Sequence, residues 1–162
     1  MIELYTDGSS RGNPGAGGWA AILRSGKHYK ELSGGFVCTT NNRMELLAVI
    51  KGLEAIKLER ANVKVWSDSL YVCNAINQGW LFKWERSGLD KKKNPDLWRR
   101  FLPLYRRHNV KFHWIKGHSG HPMNERCDTL AVEAALSGDL SVDEGYMECN
   151  LDSSTTTQNL PL

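Results

Sequence analysis

Polar and apolar positions alternate over Ile2–Thr6, the period of two that marks a half-buried strand, with Asp7 at its end. The glycine-rich run DGSSRGNPGAGG then reads as one long turn. Trp19–Arg24 and Tyr29–Phe36 read as two further strands, and their short connection favours antiparallel pairing. Thr39–Asn42 supplies several N-cap candidates for a helix running to about Lys57, whose apolar face includes Val49, Leu53 and Ile56. Strand four is Val63–Ser67, ending at Asp68, and a helix begins at Ser69 or just after it. Residues 78–96 read as irregular, broken by Gly79, Gly88 and Pro95. Leu97–Arg107 reads as a helix that Pro103 should kink or break at a joint. Strand five is Val110–Lys116, followed by the loop GHSGHPMN and a helix from Asn124 to about Leu136. The order predicts an α/β fold with a five-stranded mixed sheet: three antiparallel strands, then strands added through helical crossovers that can lie parallel.

Length changes this picture little, because 162 residues suit one domain. At 41% hydrophobic and 24% charged residues, disordered, collagenous and disulfide-scaffold classes are excluded. No apolar run approaches the ~18 residues of a membrane span, and the start MIELYTDGSS lacks the basic and apolar parts of a signal peptide. Cytoplasmic location is therefore expected. Cys38, Cys73, Cys127 and Cys149 are scattered without CxxC spacing, so reduced thiols are expected. Domain boundaries are placed at residues 1–148, with a Ser/Thr/Asn-rich tail at 149–162 expected to be disordered.

Charge matters more. The net value of +3 hides a block at residues 83–116 with 11 Lys/Arg against 3 Asp/Glu, and residues 128–162 carry 7 acids and no base. A basic block attracts polyanions.

Four acids occupy unusual places. Asp7 and Asp68 end strands, where α/β sheets bind ligands. Glu45 heads the apolar stripe of its helix, and Asp128 has Ala131 and Ala135 on its own face. Buried acids are costly, and converging acids raise one another's pKa. A divalent cation such as Mg²⁺, which takes carboxylate oxygens, resolves that conflict. Each acid also has an ordinary reading: Asp7 as a turn residue, Asp68 with Ser69 as a helix cap, Glu45 as a dipole partner, Asp128 paired with Arg126. All four together fit those readings poorly.

The segments YTDGSSRGNPGAGGWAAIL, TTNNRMELLAVIKGLEAI, VWSDSLYV and WIKGHSGHPMNERCDTLA resemble bacterial type 1 ribonuclease H, in the same order and at similar spacing, across residues 1–148. The resemblance implies a ribonuclease H-like fold and endonucleolytic hydrolysis of the RNA strand of RNA–DNA hybrids, leaving 5′-phosphate and 3′-hydroxyl ends. It carries the family's metal-binding quartet onto Asp7, Glu45, Asp68 and Asp128, and its flexible-loop histidine onto His118 rather than His121. Two Mg²⁺ ions about 3.5–4 Å apart would clamp the scissile phosphate, with Asp7 bridging them and Mn²⁺ as a substitute. His118, between Gly117 and Gly120, would move a proton or help product leave.

The resemblance further implies minor-groove contacts from Asn13, Asn41 and Asn42, whose amides both donate to and accept from a 2′-hydroxyl. Thr40, Asn13 and Arg43 resemble a pocket for a DNA-strand phosphate. The same residues are also good turn and capping chemistry. Residues 80–98 match a basic protrusion that tracks the DNA strand, with Trp80 against a deoxyribose and Lys83, Arg86, Lys91, Lys92 and Lys93 on phosphates. The protrusion is shorter than in long-handled relatives, and Glu85 stands where a base is frequent, so weaker hybrid affinity is expected. Leu70 replaces a frequent glutamine, which removes one groove contact. Trp19, Trp66, Trp84, Trp98 and Trp114 are expected to be packing residues. A monomer is expected, with any partner of the tail unassigned. The alternatives are a DNA-processing nuclease of the same superfold and a non-catalytic hybrid-binding module; the intact carboxylate set argues against the second.

Overall fold

The structure, a computed structural model, describes residues 1–146. The expected tail at 149–162 lies outside the described residues. Five strands, β1 (Ile2–Ser10), β2 (Gly15–Ser25), β3 (His28–Thr39), β4 (Asn62–Ser67) and β5 (Asn109–Trp114), form one sheet in the order β3-β2-β1-β4-β5. The β1–β2 and β2–β3 pairs are antiparallel, and β1–β4 and β4–β5 are parallel, so the mixed sheet expected from the sequence is present. The helices are α1 (Asn41–Glu54), α2 (Leu70–Asn77), α3 (Trp80–Ser87), α4 (Pro95–Arg107) and α5 (Pro122–Leu136).

The period of two sorts the side chains of β1 onto two layers. Leu4 joins a large core with Leu46, Val49 and Leu53 of α1, Val72 of α2, and Trp98 and Phe101 of α4. Tyr5 joins a smaller core with Ala20, Ile22, Cys127 and Ala131 beneath α5. Trp98 is fully buried and meets Trp84 edge-on, with ring centroids 6.2 Å apart.

Several sequence readings need correction. The first strands are longer than expected, and only Arg11–Pro14 turns. The glycines of that run are mostly strand positions under close contact. A Cβ on Gly17 would lie 2.9 Å from the Ser9 carbonyl oxygen, and one on Gly18 would lie 2.7 Å from the Ala135 nitrogen of α5. Residues 78–96 are not irregular: α3 and a short 3₁₀ turn at Leu89–Lys91 occupy much of them. Helix α4 continues through Pro103. Cys73 and Cys127 are buried free thiols, but Cys38 is disulfide-bonded, against the expectation of reduced cysteines throughout.

Beyond α5 the chain returns to β3. Ser141 pairs with Phe36; Val37 N–H donates to the Ser141 carbonyl and Ser141 N–H to the Gly35 carbonyl. Arg43, only 2% exposed, is clamped at the same end of the molecule. Its guanidinium donates to both oxygens of Asp96 at the start of α4 and both oxygens of Asp143, all at 2.8–2.9 Å. The Tyr146 ring lies 5.9 Å from the guanidinium carbon.

Candidate active site

Parallel pairing of β1 with β4 ends at Tyr5–Trp66, and the two strands present their C-terminal ends together. Asp7 follows two residues later, still paired with Ala20 of β2. It is therefore inside β1 as a strand, but beyond the part that β4 covers. Asp68 follows the last residue of β4. Its backbone is fixed there: the Trp114 indole Nε1 donates to the Asp68 carbonyl at 3.0 Å, and Ile115 N–H donates to the Ser67 carbonyl at 2.9 Å. Ser69, not Asp68, caps α2, accepting from Val72 N–H.

Glu45 arrives from the α1 layer. It is 5% exposed, as its place on the apolar stripe predicts. Its approach depends on Gly8, where a Cβ would lie 2.5 Å from the Met44 carbonyl carbon. Gly117 has a similar role beside Asp68: a Cβ there would lie 2.7 Å from Asp68 Oδ2. Neither glycine was identified from the sequence, where both read as turn or loop residues.

One oxygen each from Asp7, Glu45 and Asp68 falls within a 4.8 Å cluster. Asp128, half-buried on α5, stands outside this trio, although its charge acts on both Asp7 and Asp68. Burial and the neighbouring charge of Asp68 push the Asp7 carboxyl up to about 8. Burial, then the charges of Asp7 and Asp68, holds Glu45 well above the usual carboxylate range. Asp68 is raised chiefly by burial, and the charge of His118 opposes the rise. Glu45 Oε2 is buried without a hydrogen-bond partner. An orphaned carboxylate oxygen beside two crowded acids is a donor set for a hard divalent cation, so the residues fit the metal that the sequence suggested.

His118 is exposed, in a left-handed backbone conformation (φ 55°) on the loop after β5. His121 is structural: its Nδ1 accepts from Asn124 N–H as the cap of α5, and its ring packs on Tyr5 and Trp66.

Asn13 Oδ1 accepts from Asn41 N–H at 3.2 Å, which ties the Arg11–Pro14 turn to the start of α1 and exposes Asn13, Asn41 and Asn42 together. Thr40 caps α1 by accepting from Arg43 N–H. Arg43 does not join them: Asp96, Asp143 and the Asn94 Oδ1 take all five N–H groups of its buried guanidinium, so it cannot grip a phosphate as expected. Trp80 is 43% exposed at the start of α3. Lys83, Arg86, Lys91, Lys92 and Lys93 are exposed along α3 and the turn after it. Glu85 is occupied by Arg106 of α4. Leu70 is 54% exposed at the first position of α2. Trp114 is 47% exposed, so it is not the packing residue expected but the donor that anchors Asp68.

Residues 1–136 match the RNase H family model. A protein named Ribonuclease H from Oleidesulfovibrio alaskensis is 55% identical over 148 residues, covering 88% of this chain and 96% of the relative. Among solved structures, LC9-RNase H1, described as a type 1 RNase H with the type 2 active-site motif, matches with a TM-score of 0.75 at 31% identity, covering 99% of this chain and 85% of that one. LC11-RNase H1, solved in complex with an RNA/DNA hybrid, matches with a TM-score of 0.62 at 28% identity, covering 83% of this chain and 96% of that one.

Proposed function

The chain belongs to the ribonuclease H family of enzymes, and on that premise we propose that it cuts the RNA strand of RNA–DNA hybrids internally by two-metal chemistry, leaving 5′-phosphate and 3′-hydroxyl ends. The observation that carries this reading is the convergence of Asp7, Glu45 and Asp68 where β1 and β4 end. Asp128 stands outside the trio, but its charge reaches Asp7 and Asp68, and it would supply a fourth ligand. Magnesium bound there supplies Lewis acidity to the scissile phosphate and a readily deprotonated water.

Asp7 lies at the electrostatic centre, since its charge acts on Glu45 while those of Asp68 and Asp128 act on it. It is the residue on which a bound metal would depend most. His118, near enough for its charge to act on Asp68, handles a proton at the edge of the site. Asn13, Asn41 and Asn42 face the 2′-hydroxyls of the RNA strand, and Thr40 the DNA-strand phosphate. Trp80 packs on a deoxyribose, and the five bases from Lys83 to Lys93 follow the DNA backbone. No helix among the described residues is long and apolar enough to cross a membrane.

The test is a substrate panel with magnesium titration. The purified protein should cut a hybrid and spare matched DNA and RNA duplexes. Cutting of the DNA duplex, or binding of the hybrid without cutting, would overturn the reading.

His118→Ala should slow turnover by about 10–100-fold with little change in KM. An unaltered pH–rate profile from pH 6 to 8 would remove its proton-handling role. Replacing Lys91, Lys92 and Lys93 with Ala should raise KM and reduce the slope of log binding constant against log salt by about 2–3, with kcat little affected. A slope equal to that of the parent would show that these lysines do not touch phosphates.

A further inference from the structure

At the opposite end of the sheet from the carboxylates, a cavity of about 510 Å³ opens where β4 and β5 begin and α4 ends. Its walls are Arg60, Ala61, Asn62, Arg106, Arg107, His108 and Asn109. The six residues of β4 separate it from Asp68 by about 20 Å. Three arginines line it, and no carboxylate does.

His108 makes the cavity specific. The residue is only 7% exposed. Its Nδ1 accepts from Ala61 N–H at 3.1 Å, so the neutral ring carries its proton on Nε2. That Nε2 is buried with no hydrogen-bond partner. Burial, then the charge of Arg107, lowers the pKa of the ring and keeps it neutral. An orphaned N–H is costly, and a bound oxygen acceptor, reached by a small shift of the side chains that cover it, would remove the cost.

The surrounding groups point the same way. Arg60 is exposed, and among the described residues its guanidinium has no partner. Arg107 uses only Nε, donating to the Glu59 carbonyl at 3.3 Å. Arg106 is committed to Glu85. Asn109 Nδ2 donates to Asn62 Oδ1, which leaves the Asn62 amide N–H groups as further donors on the rim. The negative end of the α4 dipole opposes an anion here, but two full guanidinium charges on Arg60 and Arg107 outweigh about half a charge. The geometry matches what arginine forks recognise in tetrahedral oxyanions.

We propose that this cavity is a binding site for a phosphate dianion, either free orthophosphate or the terminal phosphate of a mononucleotide, held by Arg60, Arg107 and the Nε2–H of His108. The site is separate from the hybrid-cleaving centre and does not depend on the reading given for it.

The experiment is a thermal unfolding titration in EDTA at constant ionic strength, with orthophosphate, a nucleoside 5′-monophosphate and an oligonucleotide lacking terminal phosphate. The probes should act saturably at millimolar concentration. Orthophosphate at about ten times its Kd should raise the Tm of the parent by roughly 3 °C. Arg60→Gln should lose most of that rise while cleaving hybrid at the parental rate, because Arg60 is exposed and far from the carboxylates. Lys57→Gln should keep the rise. In NMR spectra of the parent, the His108 ring resonances should move along the same saturation curve. A response to orthophosphate and not the mononucleotide assigns the free ion; a response to both assigns the terminal phosphate group. An equal rise in parent and Arg60→Gln, which general salt stabilisation would produce, overturns the proposal. So does a response to the oligonucleotide alone, or a His108 signal that does not move.

Discussion

Asp7→Asn should reduce hybrid cleavage by about 10³-fold or more while hybrid binding remains measurable. The substitution keeps the shape of the side chain but removes one charge and one anionic donor from the centre of the trio. Retention of more than about a tenth of the parental rate under saturating magnesium would contradict the central role of Asp7. The same change should alter stability in the opposite sense. With its carboxyl pushed up to about 8, folded Asp7 holds a proton that the unfolded chain, at the ordinary 3.8, releases across the interval between those values. Its contribution is therefore fully present below about pH 4 and is lost as pH rises toward about 8. Metal-free Asp7→Asn should be more stable than the parent at pH 8 by roughly 2–4 kcal/mol, and the difference should shrink as pH falls toward 4. Urea unfolding in EDTA at several pH values reads this directly. A variant less stable than the parent at pH 8 would mean that the acids do not repel one another as their geometry requires.

Arg43→Met should cost about 3–5 kcal/mol, because it leaves Asp96 and Asp143 facing each other without a cation. Arg43 is the most constrained charge in the molecule, with four hydrogen bonds to two carboxylates. Adding Asp96→Asn and Asp143→Asn to Arg43→Met should restore most of the loss, since a group replaced as a whole leaves no unpaired charge. A single variant within about 1 kcal/mol of the parent in urea unfolding would show that the clamp contributes little. Asp96 also sets an acid limit. Arg43 holds its carboxyl below the usual range against the opposing effect of burial, so its contribution is present above the unfolded pKa and is lost as pH falls through the folded one. The clamp weakens in acid and the metal-free trio weakens in base. The apo protein should therefore be most stable in mildly acidic solution.

The acids were legible because each broke a local rule: a carboxylate on an apolar stripe or at a strand end is expensive without a reason. The succession of strands and helices was legible from the sequence of periods, while the order of the strands across the sheet was not. What escaped depends on distance along the chain. Arg43 stands among TTNNRME residues that look like one pocket, but its partners lie 53 and 100 residues away, and nothing local announces them. Gly8 and Gly117 resemble turn glycines until the backbone or carboxylate pressed against each is seen. Trp114 shares the composition of a core residue, yet it ends β5 and donates to Asp68. Helix α3 was hidden because eight residues between Gly79 and Gly88 offer too few turns for a period to emerge. Asp128 was legible as an acid on an apolar face, but its place outside the trio was not.

The return of Ser141 to β3 has a consequence for solubility. A twelve-residue outer strand offers a row of unpaired amides on which another polypeptide could nucleate a cross-β assembly. Ser141 occupies that row beside Gly35–Val37, and the uncovered half near His28 presents the exposed Lys30 side chain. Strand addition by a second molecule is thus blocked in one half by covering and discouraged in the other by charge.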